Sequence, residues 1–281
     1  MLSIINTWKE YFINHNEGLG TTYERFILHR YFRDIKKKYS VGSVLEVPSF
    51  GMTGVSGINS MWWAHKGLPV TVVDDNRERI ESVAGVWKET GLPVNLVFNR
   101  ACDPFPFDDK SFDMSWNFAA LWFIKDLGDF LKEQCRVTRK VIFICVPNRF
   151  GIGHRIRFAE RKKTSGKLNM DNIEPEVIRN AMKINNWRLV EEGYFDVPPW
   201  PDIAMKKEQL FQKIGLSKFS AKGNDEESRE ETILDFFRYN KKSIEKNILK
   251  YSFLENSPLL LKKYWSHHHY FIFERPITTV P

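Results

Sequence analysis

Glu46, a glycine-bearing turn and the pair Asp74-Asp75 stand at spacings that can hold a nucleoside. The run from Val44 to Gly57 reads Val-Leu-Glu-Val-Pro-Ser-Phe-Gly-Met-Thr-Gly-Val-Ser-Gly; further on, Val70-Thr71-Val72-Val73 leads into the two aspartates. The order is strand, glycine-rich turn, helix, second strand, acidic end. Glycines let backbone approach a ligand with no Cβ in the way. An acid about 20 positions past the turn suits two ribose hydroxyls. A plain tight connection would use the same glycines, and a nicotinamide site the same acid. Two details favour another ligand. Glu46 ends the first strand, where a pyrophosphate would need room, and a carboxylate there repels phosphate and suits a cationic, phosphate-free ligand. Pro48-Ser49-Phe50 also lengthens the turn and removes the G-x-G start of a dinucleotide fingerprint.

The flanking elements follow from periodicity. Tyr23, Phe26, Ile27, Tyr31 and Ile35 recur at helical spacing and predict a helix over 20–38, with Thr21 or Thr22 as its cap. Crossover helices are expected over 59–66 and 77–90, with Gly67 and Gly91 as stops. Val94–Phe98 reads as a third strand and 126–138 as the helix before a fifth. Alternating strands and helices imply a parallel sheet with right-handed crossovers. A helix over 175–186 should turn Val177, Ile178, Ala181 and Met182 inward. Residues 150–172 are basic and aperiodic and read as a lid; 203–263 read as two or three helices inserted before the last strand and covering the site.

Asp103-Pro-Phe-Pro-Phe-Asp-Asp-Lys-Ser-Phe-Asp-Met-Ser-Trp-Asn117 then resembles the stretch leading into the fourth strand of class I S-adenosylmethionine (SAM) dependent methyltransferases. Lys140–Arg149 resembles their fifth strand, and 187–197 and 267–276 their sixth and seventh. The likeness is closest to the small-molecule group that includes the quinone-biosynthesis C-methyltransferases. It implies an α/β, Rossmann-like fold: a doubly wound, seven-stranded, mostly parallel sheet with N-terminal helices and a helical cap before the last strand. Residues 1–40 would form the helical segment and 41–281 the methyltransferase domain. The resemblance also assigns roles. Glu46 would face the methionine amino group, and Gly51 and Gly54 would line the turn. Asp74, with Asp75 beside it, would take the ribose hydroxyls. Asp103 would take the adenine amino group, next to Cys102. Asn117 and Phe118 would close the far side. The chain departs from the family in its longer first turn and its short loop between Asp103 and Pro106.

Composition narrows the rest. The three cysteines have no metal-ligand or redox spacing, and no run of about 18 uncharged apolar residues occurs. The start Met1–Glu10 lacks the basic and apolar regions of a signal peptide. These features predict a cytoplasmic protein without a membrane span. They indicate no oligomeric state. The net charge of +7 permits an anionic partner without requiring one. Basic residues concentrate after the fifth strand, in Arg149, His154, Arg155, Arg157, Arg161, Lys162, Lys163 and Lys167.

Methyl transfer from a sulfonium is an in-line displacement, so the enzyme chiefly aligns the acceptor and excludes water. A base is needed only where the acceptor must lose a proton. His154 and His267 are the candidates. His267-His268-His269 invites a metal reading, but no acid or cysteine stands nearby at ligand spacing, so no metal is expected. Trp122 and Trp200 could wall an acceptor pocket, and Arg149 could hold an acidic group on the acceptor. A small-molecule acceptor is therefore expected. An RNA methyltransferase using the basic loop ranks lower, because no RNA-binding module is visible. A non-catalytic SAM-binding scaffold with an altered first turn is the remaining alternative.

Overall fold

Successive side chains along a strand point to opposite faces, and in this chain both faces are apolar. In a computed structural model, which describes residues 3–51, 54–100, 103–152, 154–155, 168–197, 232–250 and 252–276, seven strands form one sheet. They are β1 (Val44–Glu46), β2 (Val70–Asp74), β3 (Asn95–Phe98), β4 (Phe112–Phe118), β5 (Thr138–Pro147), β6 (Arg188–Phe195) and β7 (His268–Glu274). Their order is β3-β2-β1-β4-β5-β7-β6. β7 is antiparallel to β5 and β6, and the other pairings are parallel. This is the mostly parallel, doubly wound sheet that the sequence predicts.

The described helices are α1 (Ser3–Ile13), α2 (Gly18–Tyr39), α3 (Met61–His65), α4 (Arg77–Thr90), α5 (Leu127–Val137), α6 (Pro175–Ile184), α7 (Ile233–Tyr239), α8 (Lys242–Leu249) and α9 (Leu259–Trp265). Val44, Met114, Trp116 and Phe143 pack with α2, α3, α4 and α7. Leu45, Ile142, Ile144 and Phe271 pack with α5 and α6 on the other face.

Local chemistry sets the helix ends. The Asn76 side chain accepts from Arg79 N at 3.0 Å and starts α4, and Gly91, at φ 68°, stops it. α2 begins earlier than its periodicity suggests. Asn16 Oδ1 accepts from Gly18 N at 2.9 Å, while Thr22 donates to the Gly18 carbonyl instead of capping. In α6, Ile178 and Met182 are buried, but Val177 is exposed. One residue is about 100° around a helix, so Val177 cannot share the inward stripe. Three described helices fall in the insertion: α7 contacts α4, α8 contacts α2, and α9, which begins inside it, contacts β6, with Phe236 edge-on to Phe26 at 5.2 Å. Residues 203–231 of the expected cap and most of the expected lid lie outside the described residues. The end of the expected lid is fixed instead: Asn172 Nδ2 donates to the Leu121 and Ile124 carbonyls at 3.0 and 2.8 Å. No helix is long and apolar enough to cross a membrane among the described residues.

Candidate functional site: the nucleoside cleft

The glycine turn rests on a buried ion pair that its own sequence does not reveal. Glu17, just before α2, accepts from Arg25 Nε at 2.8 Å and Nη2 at 2.5 Å. Its carboxylate also accepts from Val55 N, and Arg25 donates to Asn59 Oδ1 and, at 3.0 Å, to the Val55 carbonyl. Both side chains are almost fully buried. Gly54 has φ +49°, and a Cβ there would run into the Glu17 carboxylate. At Gly51 a Cβ would overlap the Phe118 carbonyl at the end of β4. Backbone cannot yield as a flexible side chain can. Gly51→Ala is therefore expected to cost about 1–3 kcal/mol of stability, read as a lowered denaturation midpoint. An unchanged midpoint would mean that the turn does not pack on β4.

The two aspartates separate into an inner and an outer carboxylate. Asp74 is buried and held by Arg79, with Nε at 2.8–2.9 Å and Nη2 at 2.6 Å. It also accepts from Asn76 N at 2.9 Å and from the Ser49 hydroxyl. Asp75 takes one bond from Arg79 Nη2 at 2.9 Å and keeps about half of its side chain exposed. Burial, reinforced by the Asp74 charge, pushes its carboxyl above the usual range. Both line a slot walled by Val47, Pro48, Phe50, Phe105, Phe123 and Phe130, with Asn99 and Arg100 at its rim. Phe50 leans on Phe123 at 5.0 Å and beneath the Arg79 guanidinium at 4.1 Å. The slot is narrow, with a cavity volume of about 50 Å³. Flat apolar walls beside a paired carboxylate suit a purine and a ribose.

Glu46 ends β1 with its carboxylate fully buried. It accepts from Ser60 N at 3.2 Å. Burial pushes its pKa up to about 7, against the opposing pull of Ser60 and of Arg25. The buried cation acting on it, Arg25, is already bound to Glu17. Glu46 is thus a carboxylate that gains by meeting a further positive group.

The other residues singled out in the sequence are spread more widely. Asp103 is exposed and lines a neighbouring groove with Lys125, Asp126 and Phe130, outside the aromatic slot. Asn117 is buried toward α5, where it donates to Gln134 Oε1 at 3.3 Å. Phe118 is buried and touches the turn through its carbonyl. Trp122 is a core residue of the α5 layer. Arg149 is ion-paired with Glu174. His154 is half-buried. Cys102, Trp200 and the basic residues 157–167 lie outside the described residues. The histidine run corrects the expectation that acids are missing. His267 Nδ1 meets Asp196 Oδ2 at 2.8 Å, His268 Nε2 meets Glu24 Oε2 at 2.7 Å, and His269 Nε2 meets Glu192 Oε1 at 2.8 Å. The partners come from other elements, so local spacing could not reveal them. Glu17, Arg25, Arg79 and the aromatic walls were missed for the same reason. Only Arg79, in the first turn after the two aspartates, carried a local signal.

A family model described as a methyltransferase domain matches residues 51–144, from the glycine turn into β5. No curated protein matches the chain. Among solved structures, a proposed sarcosine dimethylglycine methyltransferase from Galdieria sulphuraria is similar at 11% identity and TM-score 0.52, over 88% of this chain and 85% of its own. The MccD protein is similar at 15% identity and TM-score 0.50, over 88% of this chain and 96% of its own. The sheet order, the turn after β1 and these likenesses define the class. The chain has the fold of the class I SAM-dependent methyltransferases.

Proposed function

We propose that the protein transfers the methyl group of SAM to a small or medium-sized acceptor in the cytoplasm. The observation that carries this reading is one edge of the sheet holding three features together. They are a buried carboxylate at the end of β1, a glycine turn backed by β4, and a half-exposed acid at the mouth of an aromatic slot. When bound, SAM supplies an electrophilic methyl group on a sulfonium. Glu46 faces the methionine amino group. The backbone around Gly51 and Gly54 passes beneath the ligand. Asp75 accepts from the ribose hydroxyls, and Asp74 holds Arg79 and Ser49 behind it. Phe50, Phe105, Phe123 and Phe130 enclose the base and exclude water. The residues 41–281 act as the catalytic unit, with α1 and α2 bracing the turn through Glu17 and Arg25. Arg149 can contact an acidic acceptor only by leaving Glu174.

The reading is tested by calorimetric titration with SAM, S-adenosylhomocysteine and NAD, followed by labelled SAM incubated with metabolite and RNA extracts. SAM and its product should bind in preference to NAD. Label should enter a small molecule. Preference for NAD would end the methyltransferase reading, and label in RNA would replace the acceptor class. Asp75→Asn is expected to weaken S-adenosylhomocysteine by about 1–3 kcal/mol while changing stability by no more than about 0.5 kcal/mol. Unchanged affinity in that variant would return the ribose to Asp74.

A further inference from the structure

Beside the Phe118 ring, three chain segments bring together a set of donors that the proposed nucleoside site does not use. Glu24 lies on α2, Asp196 directly follows β6, and His268 opens β7. Each is no more than 2% exposed. One donor atom from each lies within 4.8 Å of the others. His268 Nε2 is 2.7 Å from Glu24 Oε2 and 3.9 Å from Asp196 Oδ2. The pairing of Phe195 with His268 fixes β6 against β7 at this point. The His268 ring sits 4.6 Å from Phe118 and stacks on Phe195 at 5.4 Å.

The cluster brings two buried carboxylates to one imidazole. The charged groups acting on Asp196 are Glu24, His268 and Glu255; burial and Glu24 push its carboxyl well above the usual range. Burial opposes a proton on His268, and Glu24 and Asp196 favour one. Arg25 also feels Glu24, but it is bound to Glu17 through two nitrogens. Glu24 Oε1 is buried without a hydrogen-bond partner. A buried carboxylate oxygen left unpaired is costly, and such groups are paired or coordinate metals.

We propose that Glu24, Asp196 and His268 bind a divalent first-row transition-metal ion, zinc or manganese by their donor set. One imidazole nitrogen and two carboxylates are the ligand types of open, three-residue metal sites. Tetrahedral bonds of about 2.0–2.2 Å hold donors roughly 3.3 Å apart; the two separations at His268 bracket that spacing. His267 Nδ1 holds the same Asp196 oxygen, Oδ2, at 2.8 Å and is the outer partner that orients this ligand. The ion supplies the missing positive charge. The metal site does not rest on the methyltransferase reading.

The test uses the full chain, freed of any histidine tag and purified without chelator. Elemental mass spectrometry should find close to one zinc or manganese ion per chain. After chelation, titration with Co²⁺ should give visible absorption bands that saturate at one equivalent. Glu24→Gln and Asp196→Asn keep side-chain shape, and each should weaken Co²⁺ binding about tenfold or more. Chelation should also lower the melting temperature of the wild type. Titration with S-adenosylhomocysteine in parallel reports the nucleoside site independently. A folded chain that holds no ion, gives no Co²⁺ bands and melts alike with and without chelator would overturn the proposal; a proton on Asp196 would then balance the charge. Co²⁺ affinity as high in both variants as in the wild type would overturn it as well.

Discussion

Arg25→Met is expected to destabilise the chain by about 3–5 kcal/mol. Arg25 and Glu17 have side chains 2% and 1% exposed. Methionine fills part of the vacated space but leaves the Glu17 carboxylate buried and without its cation. That uncompensated charge is the main penalty, and lost packing adds to it. The effect reaches the glycine turn, because Glu17 also holds Val55 N next to Gly54. S-adenosylhomocysteine affinity should therefore fall together with stability. Glu17→Gln in the Arg25→Met background removes the orphaned charge and should recover much of the loss, a coupling that a double-mutant cycle isolates. Denaturant midpoints of the two singles and the double measure it. A loss below about 1 kcal/mol in Arg25→Met is the range of an exposed pair, and would show that water already reaches the Glu17 carboxylate.

That ion pair also marks how far the sequence could be read. Features encoded over a few residues were legible. The alternation in β5 and β7 sorts Ile142, Ile144 and Phe271 to one face and Phe143, Cys145 and Ile272 to the other. Asn76 and Gly91 bound α4 at the residues their types suggest. The acid ending β1 and the acids ending β2 fall at the carboxyl edge of a parallel sheet, where ligands bind in such folds. Features that depend on distant partners were not legible. Glu24 and His268 are 244 residues apart in the chain, and no spacing rule links them. The resemblance gave the ribose to Asp74 with Asp75 beside it; it could not show that Arg79 holds Asp74 and leaves Asp75 half exposed. The aromatic slot combines residues from four connections, and each one alone reads as ordinary core.

Glu46→Gln should change both the pH dependence of stability and that of cofactor binding, in opposite directions. The Glu46 carboxyl has a pKa of about 7 in the folded chain, against 4.5 for an ordinary glutamate, because it is fully buried. Below about 4.5 the group is protonated in both states and contributes its full stability. As pH rises from there toward 7, the unfolded chain ionises first and the folded state loses ground; above 7 the loss is complete. The total is on the order of 3 kcal/mol. Glu46→Gln should abolish this slope, so the variant should gain stability relative to wild type as pH rises through the window. Ligand binding runs the other way. A cationic amino group beside Glu46 favours the ionised form, so wild-type affinity for S-adenosylhomocysteine should rise from pH 6 to pH 8. Below 7 the rise can approach about tenfold per unit, with proton release on binding. Titrations in buffers of different ionisation enthalpy measure that proton. The glutamine variant should bind more weakly at pH 8, and its affinity should vary less with pH. If wild type and variant share one pH profile and release the same number of protons, Glu46 does not face a cation, and the amino group must lie elsewhere along the turn.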